Sequence, residues 1–315
     1  MEYTTEFLQL SDVPALVKLL DACFGIKNAS KEALIRWKYF SPSFFASLVA
    51  SVAKDDQNNL VGFYCNKLLP MVAGTGRYSA GVCLDMATHP DHRGKGLISK
   101  LFPMVYQKVR EQGVDFSFGF SNQSGIKVDQ HSSNYGYFVV AQLQSSFKPL
   151  FHAVELGVRT ERVTSFDVPV LPFTKAFQVV PSKDYLTWRY LKKPAAKYEV
   201  FSVSEGDHHQ AYLILLFSAY KVELLKILPT TEHLDLTRMI QAAQNIGIER
   251  GKKMMTLLAL KNAFWEQQLK MSNFTVVAYQ RSHYYLTVKP HRTDPDFIKK
   301  VCDPDAWAVL GGDVL

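Results

Sequence analysis

Residues 85–98 are the part of the sequence whose residue types and spacing suit an anionic ligand. They read DMATHPDHRGKGLI, and they comprise the end of a strand-like run, a basic loop and the start of a helix-like run. Backbone N–H groups in the first turn of a helix lack intrahelical partners and lie at the positive end of its dipole, which favours a diphosphate. Gly94 and Gly96 let a ligand approach the main chain, and Arg93 and Lys95 add charge. The pattern predicts an anion site, the alternative being a solvated basic turn.

The elements around this loop predict an α/β (α+β) fold. Apolar periodicity and turn signals give the following order in the first half. The expected elements are helices at 12–23 and 30–40, an antiparallel hairpin at 46–69, a strand at 80–88, a helix at 96–112 and a strand at 114–120. Pro103 lies inside the third helix and is expected to bend it or remove a hydrogen bond.

The second half repeats this order. Its expected elements are a hairpin at 198–217, a strand at 220–229, a helix at 234–251 and a strand at 253–260. The triplets around Trp37 and Trp188, W-K-Y and W-R-Y, match as well. Shared order indicates duplication, so we expect two tandem domains, each a mixed, mostly antiparallel twisted sheet flanked by helices. The expected boundaries are a domain at 1–148, a linker or crossing segment at 149–180, and a domain with a C-terminal tail at 181–315.

The loop itself is not repeated. At the corresponding place, residues 229–234 read PTTEHL, without glycine and with an added acidic residue that would repel a diphosphate. The second half is therefore expected to be degenerate. One ligand should bind per chain, in the first half.

Composition excludes several other classes. The chain has 315 residues, 47% hydrophobic and 21% charged, with a formal charge of +7 and no basic stripe, so nucleic-acid binding has no specific support. No apolar run reaches membrane-spanning length and no leader pattern opens the sequence, so a cytoplasmic protein without membrane association is expected. The four scattered cysteines, Cys83 among them, favour buried thiols over a metal site or a disulfide framework. Oligomeric state is left open.

The run T-H-P-D-H-R-G-K-G-L-I-S-K-L resembles motif A of the Gcn5-related N-acetyltransferases, the GNAT superfamily. Its signature [QR]-x-x-G-x-[GA] falls on Arg93, Gly96 and Ile98. Ile98 departs from the usual Gly or Ala, and Thr88 stands where valine is common. The order of elements over 1–148 is similar too, and the tandem arrangement resembles two-domain members such as mycothiol synthase.

The resemblance implies a cofactor, acetyl-CoA or another short acyl-CoA, and no metal. It implies that the acyl group passes directly to a primary amine. The expected acceptor is a small molecule such as an amino sugar, and aminoglycosides, polyamines, amino acids and protein amines are left open. The implied cofactor-binding residues are Met86, Ala87, Thr88, Arg93, Gly94, Lys95, Gly96, Leu97, Ile98 and Asn122. Those on the strand would pair with the pantetheine arm through the main chain.

Acid–base catalysis is assigned less directly. Asp85 stands in an apolar strand where related enzymes often place an acidic residue, so it is our candidate base, the alternative being a carboxylate that hydrogen-bonds loop amides. The family's usual tyrosine lies about four residues before a G-[FY] pair, here Gly136-Tyr137, and that place holds Ser132. His131 and Tyr135 are the candidate substitutes, the alternatives being a surface histidine and a packed aromatic.

Two further expectations follow. A CoA-binding regulatory or scaffold protein without catalysis is the alternative function, because the usual tyrosine is missing. The apolar tail Ala306-Trp307-Ala308-Val309-Leu310 is expected to dock onto the fold and to close the acceptor space, the alternative being that the second half only buries an otherwise exposed face of the first.

Overall fold

The computed structural model describes residues 2–25, 31–41, 48–131, 135–169, 175–230, 234–277 and 284–314, with the backbone alone at 129–131. Its strands are β1 (Thr4–Phe7), β2 (Leu48–Lys54), β3 (Leu60–Ala73), β4 (Gly76–Thr88), β5 (Phe116–Asn122), β6 (Phe138–Pro149), β7 (Arg159–Val163), β8 (Gln178–Val179), β9 (Tyr198–Glu205), β10 (His208–Phe217), β11 (Lys221–Leu228), β12 (Met254–Leu260), β13 (Thr275–Val276) and β14 (Tyr284–Pro290). Its helices are α1 (Val13–Phe24), α2 (Lys31–Phe40), α3 (Leu97–Glu111), α4 (Gln123–His131), α5 (Lys183–Leu186), α6 (Leu236–Glu249), α7 (Ala263–Met271) and α8 (Pro295–Val301). None of these helices is long and apolar enough to cross a bilayer.

All these strands belong to one sheet. Its main order is β1-β2-β3-β4-β5-β14-β6-β12-β11-β10-β9-β7, with β8 on β3 and β13 on β6. Neighbours are antiparallel except in the pairs β4–β5 and β11–β12. The expected α/β class, with a mostly antiparallel sheet flanked by helices, is confirmed. The two expected sheets are joined into one continuous sheet.

The joint is made by strands that cross between the halves. β14, from the end of the chain, lies between β5 and β6, with Thr287 opposite Gly119 on one side and Val139 on the other. β6 in turn pairs with β12, with Ser146 opposite Leu257. Each half therefore completes the sheet of the other. The division at 148 and 181 remains a prediction. Segment 149–180 contains β7, which pairs with β9, and β8, which pairs with β3.

Both halves contain the same unit, two antiparallel pairs followed by a helix and a parallel strand. The unit is β2-β3-β4-α3-β5 in the first half and β9-β10-β11-α6-β12 in the second. Most strand bounds lie within two residues of those expected, although β3 ends four residues later, at Ala73, and β4 begins four residues earlier, at Gly76. Helix α3 continues through Pro103, whose side chain is exposed.

Trp37 and Trp188 form a contact between the two halves. Their rings stack with centroids 4.8 Å apart. The Trp37 indole N–H donates to the Trp188 carbonyl at 2.9 Å, and the Trp188 indole N–H donates to the Trp37 carbonyl at 3.0 Å. Both residues are buried. The matching triplets in the sequence thus meet in a reciprocal contact.

The C-terminal tail is part of the core. Trp307 is 1% exposed, and its ring packs against those of Phe116, Phe118 and Phe177. Ala308, Val309 and Leu310 are buried as well. The expected docking of this segment is therefore observed, against residues of the first half and of the segment that links the two halves.

The tryptophan pair predicts an asymmetry between similar substitutions. Trp188→Phe removes a buried donor and leaves the Trp37 carbonyl without it, which should lower the free energy of unfolding by about 1–3 kcal/mol. Trp265→Phe is the matched control, because the Trp265 indole N–H is buried without a partner among the described residues. Urea unfolding of both variants checks this. Equal losses would contradict the proposed weight of the reciprocal hydrogen bonds.

Candidate active site

The site begins where β4 and β5 separate. They pair in parallel from Ala80 opposite Phe116 to Cys83 opposite Gly119, and β4 then continues alone to Thr88. On its other side β4 carries one extra residue between Cys83 and Met86, a bulge that increases local twist. The β5-facing edge of Met86–Thr88 therefore has no strand partner among those described. An extended ligand could hydrogen-bond along that edge.

The basic loop follows directly. Gly94 and Gly96 have φ of +75° and +68°, in the left-handed region that glycine tolerates best, and Gly96 caps the N-terminus of α3. No atom lies within 4 Å of a Cβ built on either glycine. Arg93 Nε donates to the Thr88 carbonyl at 3.4 Å. The loop thus presents open main chain at the positive end of a 15-residue helix.

A cavity of about 650 Å³ runs from this loop to the free edge of β4. It is lined by Cys23, Phe24, Met86, Ala87, Thr88, His92, Arg93, Gly94, Lys95, Gly96, Leu97, Ile98, Ser99, Lys127, Val128 and Tyr135. We call it the cofactor cavity. It brings together every residue predicted to bind the cofactor except Asn122.

Lys127 and Cys23 were not predicted. Lys127 lies on α4. This helix was not predicted from the sequence because segment 123–131 is short and its residues are mostly polar. The Cys23 thiol donates to the Thr88 carbonyl at 3.2 Å, and burial raises its pKa, an effect partly offset by Arg93. Cys23 therefore lines the cavity as a neutral thiol.

A second cavity of about 420 Å³ adjoins the first. The two share Phe24, Met86 and Val128. Its other lining residues are Tyr64, Val82, Cys83, Leu84, Asp85, Phe102, Gly119, Phe120, Ser121, Asn122, Ser124, Gly125, Tyr284 and Val314. We call it the acceptor cavity. Asn122, predicted to contact the cofactor, lies here, and its side-chain oxygen accepts a hydrogen bond from the Gly125 N–H at 2.9 Å.

The Asp85 carboxylate contacts two side chains of α2. Its Oδ2 is 2.7 Å from Lys38 Nζ and accepts a hydrogen bond from the Tyr39 hydroxyl. Burial, and secondarily the Asp85 charge, raise the pKa of Tyr39. The side chain of Asp85 is 24% exposed, so it can still meet a ligand. Its partners among the described residues are side chains of α2, where the sequence alternative was loop amides.

The other two catalytic candidates are placed differently. Tyr135 lines the cofactor cavity, with its hydroxyl 2.7 Å from Ser99 Oγ and its ring stacked on Phe102 at 4.1 Å. Asp85 and Tyr135 thus lie in separate cavities that meet at Met86. His131 ends α4, and its side chain, like all of Ser132, lies outside the described part of the chain.

A cluster of tyrosines was missed. The hydroxyls of Tyr64, Tyr106 and Tyr137 hydrogen-bond to one another, the last two at 2.5 Å. Asn66 Nδ2 and Cys83 Sγ donate to the Tyr64 hydroxyl at 3.1 and 3.4 Å. Burial raises the pKa of all three tyrosines, so they stay protonated. Residues so far apart in sequence give no local signal.

A family described as Acetyltransferase (GNAT) domain matches residues 5–137. Residues 5–137 are a GNAT domain. This confirms the resemblance carried by Arg93, Gly96 and Ile98. No curated protein matches the chain in sequence.

The similarity to solved structures extends along the chain beyond residues 5–137. A probable N-acyltransferase from Enterococcus faecalis V583 superposes with a TM-score of 0.70 at 12% identity, covering 92% of this chain and 72% of that one. A GCN5-related N-acetyltransferase from Anabaena variabilis gives 0.68 at 14%, covering 91% and 72%. A glucosamine N-acetyltransferase region of a fungal multi-domain GH3 β-N-acetylglucosaminidase gives 0.58 at 13%, covering 91% and 38%. The fold of both halves therefore occurs in these proteins.

The glycine at the start of α3 gives a test of the cofactor cavity. Gly96→Asp adds bulk and negative charge at the helix N-terminus, so the affinity for acetyl-CoA should fall at least tenfold in calorimetry. Gly113→Asp is the control, because Gly113 has φ of +69° and equally open surroundings at the opposite end of α3. A folded Gly96→Asp protein with wild-type affinity would refute this placement.

Proposed function

We propose that the chain is an acyl-CoA-dependent N-acyltransferase that moves an acetyl group from acetyl-CoA to a primary amine of a small molecule. The observation that carries the proposal is the meeting of the two cavities at Met86, beside the free edge of β4. One cavity offers an anion-binding helix end, and the other offers a carboxylate. A thioester held at the junction would be open to attack from the acceptor side.

The residues present suit acetyl-CoA. Its diphosphate would rest on the main chain at 94–98, with Arg93, Lys95 and Lys127 supplying positive charge. The pantetheine arm would pair with the open edge of Met86–Thr88. The two left-handed glycines leave the space that a Cβ would take, which fits a ligand lying directly against the backbone.

The transfer forms a C–N bond and breaks the thioester C–S bond. The amine nitrogen attacks the carbonyl carbon, and a main-chain N–H on the open edge of β4 would stabilise the oxyanion. The acyl group leaves on the amine, and CoA leaves as the thiolate. Because the amine starts in its protonated form, it must lose two protons, one before the attack and one after it. One proton must reach the thiolate, and the other is released through the base to solvent.

Asp85 is the proposed acceptor of the amine proton. An alkylamine is mostly protonated at pH 7, and freeing its lone pair costs about 4 kcal/mol. Asp85 lies in the acceptor cavity, where Lys38 and Tyr39 fix its orientation. Tyr135 remains the candidate donor to the thiolate because it lines the cofactor cavity. His131 remains a prediction without a described side chain.

The acceptor cavity favours a compact polar amine. Among its described lining residues, Asp85 is the one with a charged side chain, and hydroxyl and amide groups come from Tyr64, Ser121, Asn122, Ser124 and Tyr284. These groups suit a cationic amine bearing hydroxyls. The fungal neighbour's description as a glucosamine N-acetyltransferase region agrees with an amino sugar as the first acceptor to test. A cytoplasmic location, and a second half that is a degenerate GNAT copy, are parts of the proposal.

The base assignment gives the central test. Asp85→Asn should lower kcat for thiol release with an amine panel of glucosamine, spermidine, lysine and an aminoglycoside by about 10²–10⁴-fold. The acetyl-CoA dissociation constant should not change, because Asp85 lies outside the cofactor cavity.

Tyr39→Phe distinguishes a proton-accepting role of Asp85 from a purely structural one, because the variant loses one hydrogen bond to Asp85 and keeps the carboxylate. A loss of kcat as large as that of Asp85→Asn would show that orientation alone matters. Wild-type protein that binds acetyl-CoA but acylates none of these amines would favour the regulatory or scaffold function.

The intact and degenerate loops predict stoichiometry. Calorimetric titration with acetyl-CoA should give one site per chain, because residues 229–234 lack the glycines of the first loop. Part of that loop, residues 231–233, lies outside the described residues. A measured stoichiometry of two would overturn the expected asymmetry.

A further inference from the structure

The second half contains its own separated strand pair. β11 and β12 pair in parallel from Lys221 opposite Met254 to Leu224 opposite Leu257. A one-residue bulge follows at Leu225, on the side that faces β10. The first half has the same sequence of events at Cys83 and the bulge before Met86. A crevice equivalent to the one beside β4 must therefore open between β11 and β12.

The C-terminal tail, here residues 306–314, fills this second crevice. The Leu260 N–H donates to the Val309 carbonyl at 3.2 Å, and Leu310 forms a bridge with Ala259 of β12. On the β11 side, a Cβ added to Gly312 would lie 2.8 Å from the Leu225 carbonyl oxygen. The tail thus takes the place in the second half that the pantetheine arm is proposed to take in the first.

The three side chains that hold the tail correspond to Asp85 and the two side chains that hold it in the first half. Counting from the last parallel pair, Lys226 stands where Asp85 stands in the first half. It is buried and forms an ion pair with Asp313 of the tail at 2.6 Å. The matching triplets place Arg189 and Tyr190 where Lys38 and Tyr39 stand.

Arg189 and Tyr190 bind the tail backbone. Arg189 Nη2 donates to the carbonyls of Gly312 and Val314 at 2.8 and 2.9 Å. The Tyr190 hydroxyl donates to the Gly312 carbonyl at 3.3 Å. Arg189 is 1% exposed, so these bonds are formed away from water and fix the end of the tail firmly.

The fixed end reaches the first half. Val314 and Tyr284 of β14 line the acceptor cavity together with groups supplied by β4 and β5. These two residues come from the far end of the chain, whereas Asp85 and Asn122 come from the GNAT domain. The acceptor cavity is thus built by both halves.

We propose that the C-terminal tail is a permanent internal occupant of the second crevice and that it presents Val314 as a specificity-determining residue for the acceptor amine. The part concerning the acceptor rests on the proposed N-acyltransferase function. Val314 offers a branched apolar wall without charge. It should select acceptors whose surface on that side is apolar and of limited bulk, such as a small alkylamine or the less polar face of an amino sugar.

A bisubstrate probe tests this without knowledge of the natural acceptor. The probe is CoA whose sulfur is joined through an acetyl bridge to butylamine, and plain CoA is the reference. Since the butyl group must enter the acceptor cavity, the probe should bind wild-type protein at least tenfold more tightly than CoA. Val314→Trp should abolish that gain and leave the affinity for CoA unchanged. Val276→Trp, at a position that is 45% exposed on β13, should change neither affinity.

The outcomes separate the two proposals. Wild-type protein that does not bind CoA would refute the proposed function itself. CoA binding without a gain for the probe, or a gain that survives in Val314→Trp, would overturn the role of Val314 and leave the function standing.

A second variant tests the anchoring of the tail. Gly312→Ala meets backbone at 2.8 Å and should displace the tail from β11, whereas Gly311→Ala meets the Leu258 side chain at 3.3 Å, which can move slightly. Hydrogen exchange of residues 306–314 should therefore speed up at least tenfold in Gly312→Ala, and the probe's gain should shrink with it. Gly311→Ala should resemble wild type. Faster exchange with an unchanged gain would overturn the link between tail and cavity.

Discussion

The separation of two parallel strands is the constraint on which the rest of the structure depends. Both parallel pairs hold for four residues and then part, at Cys83 with Gly119 and at Leu224 with Leu257. At the first of these points β4 and β5 are so close that a Cβ on Gly119 would lie 3.1 Å from the Cys83 carbonyl oxygen. The bulge that follows turns β4 away. Each separation leaves backbone groups that need a partner, and unsatisfied buried backbone is costly.

The two halves meet this need differently, although their strands belong to one sheet. The first half leaves its edge open to a cavity of about 650 Å³. The second fills its crevice with the chain's own tail. Because β14 completes the first half and β6 pairs with β12, loss of the C-terminal region would unravel the sheet on both sides. The stacked pair of Trp37 and Trp188 adds a second contact between the halves, outside the sheet.

Local features were predictable from the sequence, and non-local ones were not. The strands around the loop, and its glycines, carry strong periodic and turn signals, so their positions were found. The insertion of β14 between β5 and β6 depends on pairing across more than 130 residues, as between Val139 and Thr287, which no local pattern reveals. Helix α4 was missed because its sequence is polar.

The positions of individual side chains were likewise predictable where they depend on neighbouring residues in the sequence and unpredictable where they depend on packing. The cofactor cavity collects the predicted run Arg93–Ile98, because consecutive residues of a loop must lie together. Asn122 lies in the acceptor cavity because β5 turns away from β4 before reaching it. The contact of Asp85 with Lys38 joins residues 47 apart, and the tyrosine cluster joins three distant elements. Such contacts are set by packing rather than by spacing.

The charges at the two bulges explain why the tail is needed at all. In the first half a carboxylate, Asp85, faces Lys38, so the pair is complete within that half. In the second half the corresponding residues are Lys226 and Arg189, two cations that are 4% and 1% exposed. They cannot compensate each other, and an uncompensated buried charge costs about 3–5 kcal/mol. Asp313 supplies the missing carboxylate, and the tail carbonyls accept the hydrogen bonds of Arg189. Because Lys226 is positively charged where Asp85 of the first half is negatively charged, the tail is held in the second crevice. Val314, at the end of the tail, then forms part of the wall of the acceptor cavity in the first half.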